Sequence, residues 1–241
     1  MKPKIAAQYE VVGHRGFPQK FPENSLVGVL GALEAGARYV EIDVQMSKDS
    51  VPVVIHDADL RRVCGVDRKV ADLTVEQLEK ISCHEEARFG DAFAPCPLVT
   101  LETLAEAICE RDVQLFVELK AESLEYVSRE VFFTAVDQAC KSMRANISII
   151  SFDFDLLVLA KQKYSIGWVL AEWSDEVLEK AKQLAPNILI YDVKKLSEKD
   201  IVWAGPWKWF LYDIVEPTLA QAWAERGVSY IETWDAKRLL A

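Results

Sequence analysis

The sequence is poor in what several large functional classes require. It holds only three histidines in 241 residues, and its five cysteines (Cys64, Cys83, Cys96, Cys109 and Cys140) are odd in number. None of them forms a C-x-x-C pair and none has a histidine at zinc-ligand spacing. They read as reduced thiols of the core or of loops, which suits a soluble, cytoplasmic protein. No stretch approaches the about 20 apolar residues that span a bilayer, and Met1–Glu10 lacks the charged region and apolar run of a secretion signal. Positive charge is scarce as well: 28 Lys and Arg stand against 38 Asp and Glu, a formal net charge of −10. Such a surface repels nucleic acid and anionic lipid, so neither is an expected partner. An anionic substrate would need local arginine, lysine or bound metal to offset that field. No G-x-G-x-x-G or G-x-x-x-x-G-K-[ST] loop follows a strand, which argues against dinucleotide-binding and P-loop folds.

Nothing resembling a linker, a low-complexity tract or a charge block divides the chain, and its size suits one barrel domain over residues 1–241. What recurs is a short β-rich run followed by an amphipathic helix. Strands are expected at Val11–Val12, Tyr39–Val44, Gln114–Leu119, Ile147–Phe152, Ile166–Leu170, Ile188–Tyr191, Trp209–Tyr212 and Tyr230–Ile231. Val51–Ile55 is a further apolar run, too close behind the second strand for a crossover helix between them. Helices are expected at Asn24–Ala35, with Asn24 as cap and Gly36 as stop, at Leu101–Glu110, and at about 122–142, 153–163, 174–184, 197–203 and 217–226. Thr74-x-x-Gln77 is a capping box, Pro217 suits a first helical turn and Gly227 a helix stop. Eight strands alternating with helices favour a closed parallel (β/α)₈ TIM barrel over an open sheet.

In a barrel of this kind the chemistry sits at the C-terminal ends of the strands. His14 and Arg15 follow the first strand, and His56-Asp57 ends the run Val53-Val54-Ile55. Glu41 and Asp43 lie two apart, as do Glu118 and Lys120, so period-two alternation points each pair to one face. Glu41, Asp43 and Glu118 would then converge on one mouth. Two like charges about 4 Å apart repel by about 4 kcal/mol at an effective dielectric of 20, so this group must bind a cation or hold a proton. Oxygen donors without cysteine suit magnesium or calcium. His84, in the polar stretch Cys83–Glu86, reads as a surface residue.

Taken in order, His14-Arg15-Gly16, Pro22-Glu23-Asn24-Ser25, Glu41-Ile42-Asp43-Val44-Gln45, Pro52-Val53-Val54-Ile55-His56-Asp57 and Glu118-Leu119-Lys120 resemble the glycerophosphodiester phosphodiesterase family. Ser151-Phe152 and Gly227–Thr233 extend the likeness more weakly toward the C-terminus. The resemblance implies a (β/α)₈ barrel with a small insertion after the second strand, here at about 57–97. It implies Glu41, Asp43 and Glu118 as ligands of a divalent cation, Mg²⁺ or Ca²⁺, His14 and His56 as an acid–base pair, and Arg15 and Lys120 as phosphate contacts. The activity it implies is hydrolysis of small-molecule glycerophosphodiesters to an alcohol and sn-glycerol 3-phosphate. Homo-oligomerisation stays open.

The chain departs from the family pattern in three places. Tyr212-Asp213-Ile214-Val215 replaces a Trp-Thr-Val-Asn-like stretch, Thr233-Trp234 replaces a closing Thr-Asp, and Asp49-Ser50 replaces an Asp-Gly turn. The first two bear on the alcohol part of a substrate. Among the aromatics Trp203, Trp207, Trp209, Phe210 and Tyr212, the choice lies between core packing and an apolar wall at Trp203 or Trp207 that receives an alcohol or acyl group. Competing functions are a lysophospholipase D-like hydrolase of lipid phosphodiesters, an inert anion-binding barrel, and a metal-dependent isomerase or aldolase. Two retained histidines argue against the inert barrel, and the nearness of Lys120 to Glu118 argues against a Schiff-base lysine.

Overall fold

The computed structural model describes residues 8–197 and 200–241. The first half of the chain forms β1 (Glu10–Gly13), α1 (Leu26–Glu34), β2 (Tyr39–Met46), β3 (Pro52–Val54), α2 (Arg61–Cys64), α3 (Val75–Leu78), α4 (Glu86–Phe89), α5 (Leu101–Ile108), β4 (Gln114–Leu119) and α6 (Arg129–Ala139). The second half forms β5 (Ile147–Ser151), α7 (Phe154–Ala160), β6 (Ser165–Val169), α8 (Asp175–Leu184), β7 (Ile188–Asp192), β8 (Lys208–Tyr212), α9 (Pro217–Ala224), β9 (Val228–Thr233) and α10 (Ala236–Leu240). Because β1 pairs in parallel with both β2 and β9, the eight parallel strands close into the expected barrel. The extra apolar run is β3, which runs antiparallel along β2 outside the barrel.

Alternation along the strands builds two apolar layers. Val12, Phe116, Ile150, Val169, Ile190 and Phe210 fill the barrel interior. Val40, Ile42 and Val44 of β2 face the other way and share an outer layer with Leu104 and Ile108 of α5 and Phe132 and Val136 of α6. Each such side chain contributes about 1.5–3 kcal/mol on full burial. A third cluster, including Leu60, Val63, Leu73 and Leu78, lies under the short helices between β3 and α5.

Local signals are met in most places. Gln77 Oε1 accepts from the Thr74 amide at 3.0 Å, Pro217 opens α9, and Gly36 and Gly227 take φ of +101° and +95° at the two helix stops. Five readings change. Ser25, not Asn24, caps α1, accepting from the Gly28 amide at 3.0 Å, because Asn24 is buried and turned toward β2. The helix expected over 122–142 is broken into a 3₁₀ turn at Ala121–Glu125, α6 with its own Ser128 cap, and a second 3₁₀ stretch at Lys141–Asn146. Of the helix expected at 197–203, Glu198 and Lys199 lie outside the described residues and the others are not helical; a 3₁₀ turn at Val193–Lys195 begins that crossover. Finally, Cys64 and Cys83 form a disulfide, so the reading of all five cysteines as reduced is wrong. Folding of the short helices brings their Cα atoms to 4.0 Å, a proximity that a sequence separation of 19 does not announce. Cys96 and Cys140 are buried thiols and Cys109 is exposed. His84 is not a free surface residue: its side chain is 17% exposed and its Nδ1 lies 2.9 Å from Ser82 Oγ.

Candidate active site at the barrel mouth

The loop after β1 is shaped by three departures from ordinary backbone. Arg15 and Asn24 have φ of +52° and +51°, and Gly16 has φ of +90°. A side chain on Gly16 would meet the Gly28 backbone at 2.7 Å, so only glycine lets this loop lie on α1. A non-glycine residue held at positive φ costs about 1–3 kcal/mol and is found where surroundings impose it. Here the turn aims the Arg15 amide at Glu41 Oε2, at 3.0 Å. Asn24 is tied to β2 from both sides, Nδ2 donating to Asp43 Oδ2 at 2.9 Å and Oδ1 accepting from the Asp43 amide at 3.0 Å.

All seven residues singled out in the sequence line one cavity of about 180 Å³: His14, Arg15, Glu41, Asp43, His56, Glu118 and Lys120. Arg15 Nε lies 3.1 Å from Asp43 Oδ2, and Nη1 donates to Glu23 Oε1 at 2.9 Å. Lys120 Nζ donates to Glu118 Oε1 at 2.8 Å and lies 3.4 Å from Asp43 Oδ1. Burial alone would lower both cations, but Asp43 with Glu23 and Glu41 raises Arg15, and Asp43 with Glu118 raises Lys120. The carboxylates divide. Burial would raise Asp43, yet Arg15, Lys120, His56 and the Asn24 amide hold it below its ordinary value. Glu41 is pushed well up by burial, Asp43 and Glu118, and Glu118 is raised chiefly by burial.

The mouth also holds residues that sequence reasoning missed. Glu232 of β9 is buried, and its Oε2 lies 3.9 Å from His14 Nε2. Burial and the neighbouring carboxylates raise it well above its ordinary value. Asp213, directly after β8, places Oδ1 2.7 Å from His14 Nδ1; apart from that ring this buried oxygen has no partner. Asp57 does the same for His56, with Oδ1 2.6 Å from Nδ1, while its Oδ2 accepts from Arg62 Nε at 2.7 Å. Arg62 also grips both oxygens of Glu23, at 2.7 Å each, which links the two histidine-bearing loops. Strand parity was the available signal for Glu232, which stands two residues after the inward-facing Tyr230.

Glu41, Asp43 and Glu118 offer ligand atoms that all lie within 4.8 Å of one another, and so do His14, Glu41 and Glu232. Glu41 Oε1 is buried with no hydrogen-bond partner. An orphaned carboxylate oxygen inside a surplus of buried carboxylates fits a hard divalent cation, which would supply a partner and an offsetting charge. Of the two readings of the aromatic residues, core packing is the one that holds for Trp203 and Trp207. Ile150, Phe152, Val169, Ile190 and Phe210 line the cavity, whereas Trp203 stacks on Trp173 at 4.0 Å and its carbonyl accepts from the indoles of Trp207 and Trp209.

Residues 14–233 match the glycerophosphoryl diester phosphodiesterase family. The chain belongs to that family. A glycerophosphodiester phosphodiesterase of Caldanaerobacter subterraneus is 35% identical over 111 residues, 46% of this chain and 45% of that protein. The chain spans about half the length of the curated relatives it matches. A solved structure of a phosphodiesterase from Oleispira antarctica, in complex with the product sn-glycerol-3-phosphate, superposes with a TM-score of 0.85 at 23% identity, covering 96% of this chain and 95% of that one. A putative glycerophosphoryl diester phosphodiesterase from Silicibacter pomeroyi gives 0.84 at 22% identity, covering 97% and 92%. These two likenesses concern the barrel fold. No helix among the described residues is long and apolar enough to cross a membrane.

Proposed function

We propose that the chain hydrolyses glycerophosphodiesters to an alcohol and sn-glycerol 3-phosphate at the barrel mouth, with a divalent cation held by Glu41, Asp43 and Glu118. The observation that carries this reading is the placement of two histidines, each backed at Nδ1 by a carboxylate, around one cavity that also holds Arg15, Lys120 and the acidic cluster. Family membership and the product held by the Oleispira antarctica relative support it.

A carboxylate at Nδ1 keeps the ring proton there and leaves Nε2 to take or give a proton. In hydrolysis a P–O bond forms to the attacking oxygen and the P–O bond to the alcohol breaks. One histidine takes the proton of the attacking oxygen, and the other gives a proton to the departing alkoxide. Asp213 and Asp57 orient the rings and stabilise the imidazolium each ring becomes. Arg15 and Lys120 retain N–H donors beyond their carboxylate pairs and bind the phosphoryl oxygens. A bound dication would offset charge on the phosphoryl oxygens.

A second reading keeps the chemistry but takes a lysophospholipid; Phe152, 42% exposed beside the cavity, favours it. Both are tested by one assay of metal-supplemented protein on glycerophosphodiesters, lysophospholipids and an aryl phosphodiester. Release of glycerol 3-phosphate from the first group is expected. Turnover of the lysophospholipid alone would shift the assignment to the second reading, and inertness toward all three would overturn both.

A further inference from the structure

Asp213 holds His14 at Nδ1, 2.7 Å away, so the ring proton stays there and Nε2 presents a bare lone pair. That lone pair faces oxygens. Glu41 Oε2 lies 4.0 Å from it and Glu232 Oε2 lies 3.9 Å from it, both beyond hydrogen-bond reach. Glu232 is 4% exposed and lines the cavity, yet its carboxylate accepts no hydrogen bond from the described residues. Three electron-pair donors therefore converge on one point, their ligand atoms all within 4.8 Å of one another. At these separations a proton cannot bridge His14 to either oxygen, whereas a metal ion can.

Ligand atoms around a tetrahedral ion with bonds of about 2.0–2.2 Å stand about 3.4 Å apart, so a contraction of about 0.5 Å closes the set. An imidazole nitrogen whose other side is backed by a carboxylate is a ligand for zinc-like ions, whereas magnesium and calcium take oxygen. Glu41 can serve this set and the one with Asp43 and Glu118. Its Oε2 faces His14, and its Oε1 is the buried oxygen without a partner. The charge of the cavity also admits two dications. Glu41, Asp43, Glu118, Asp213 and Glu232 line it against Arg15 and Lys120, so a single dication leaves it negative toward an anionic substrate. Asp213, which fixes the ring, is one of this chain's own departures and stands where the family pattern has threonine.

We propose that His14, Glu41 and Glu232 form a second cation site, selective for zinc-like transition ions, and that an ion there inhibits hydrolysis by occupying Nε2 of His14. The inhibition rests on the phosphodiesterase reading above; the site itself does not. The test holds wild type, Glu232→Gln and His14→Ala in millimolar magnesium and measures zinc binding by equilibrium dialysis, with melting temperatures as a check on folding. The wild type is expected to bind zinc at least about tenfold more tightly than either variant, the scale on which losses around a metal site are felt. In parallel, zinc is titrated into the turnover of a glycerophosphodiester by wild type and Glu232→Gln, each against its own magnesium-only rate. Half-inhibition of the wild type is expected at about tenfold less zinc than that of the variant. Equal zinc affinity in all three proteins, or no zinc bound by the wild type, would overturn the site. Zinc held by the wild type and lost in both variants, but without effect on wild-type turnover, would overturn the inhibition. Absence of turnover in magnesium alone would overturn the phosphodiesterase reading, and the inhibition with it, while dialysis still decides the site.

Discussion

At the scale of single residues, the candidate chemistry depends on which nitrogen of each histidine is occupied. Asp57 comes next to His56 in sequence and is steadied by Arg62, whereas Asp213 reaches His14 from the end of β8, on the other side of β9 from β1. If Asp213 holds the Nδ1–H form of His14, Asp213→Asn should lower kcat by about 10²-fold or more, because an amide can face the ring with its NH₂ and favour the wrong tautomer. KM should change by less than about threefold, since the lost interaction belongs to the transition state. His14→Ala and His56→Ala should each cost about 10²–10⁴ in turnover with the circular dichroism spectrum unchanged. Near-wild-type turnover in both alanine variants would remove the acid–base assignment. His14, Arg15, Glu41, Asp43, His56, Glu118 and Lys120 were legible in the sequence because each sits at a strand end or on a common strand face. Asp213 was visible there only as a departure from a pattern, because its role exists only once β9 has paired with both β1 and β8.

At the scale of elements, the segment between β3 and α5 acts as an outer scaffold for the site. Arg62 of α2 holds Asp57 and Glu23, while Glu85, just before α4, accepts from the Glu23 amide at 2.6 Å. The Cys64–Cys83 disulfide ties these two supports together. Closing a loop of this length stabilises the folded chain by about 3 kcal/mol through the entropy of the unfolded state. The double variant Cys64→Ser/Cys83→Ser should show that loss in urea denaturation under oxidising conditions, and excess reductant should bring the wild type down to it. Equal stability of wild type and variant without reductant would show that the bond contributes nothing in solution. The helix boundaries missed around 122–142 have a tertiary cause. Around 122–142 the sequence reads as one helix, but tertiary packing against β2 decides where the backbone turns; Ser123 Oγ, for example, accepts from the Met46 amide at 3.0 Å.

For the whole molecule, the dominant quantity is negative charge, a formal −10 overall and a concentrated excess at the mouth. Glu41, Glu118 and Glu232 are raised, with burial as the first cause, so the folded state keeps protons that the unfolded chain releases above about pH 4.3. Their contribution to stability is full below that pH and is lost as pH rises through their folded values. Asp43 is depressed despite its burial, and acts in reverse: its contribution is present above about pH 3.9 and lost as pH falls. Asp43 contributes unchanged above about pH 3.9, so the three raised groups set the trend, and chelator-treated protein should lose melting temperature as pH rises above about pH 5. Millimolar magnesium or calcium should restore most of it, because an ion bound only by the folded state adds about 2.7 kcal/mol at a hundredfold excess over Kd. A melting temperature unmoved by either ion would count against Glu41, Asp43 and Glu118 as its site.

The sequence by itself determined the barrel, since eight alternations of strand and helix leave parallel pairing and closure as the economical way to bury every apolar face. It also determined which carboxylates share a face, because side-chain parity along a strand is local. Tertiary structure decided what parity cannot: the pairing of Cys64 with Cys83, the carboxylate behind His14 and the burial of Glu232. Those features join residues far apart in the chain, and distance in space is set only when the barrel closes.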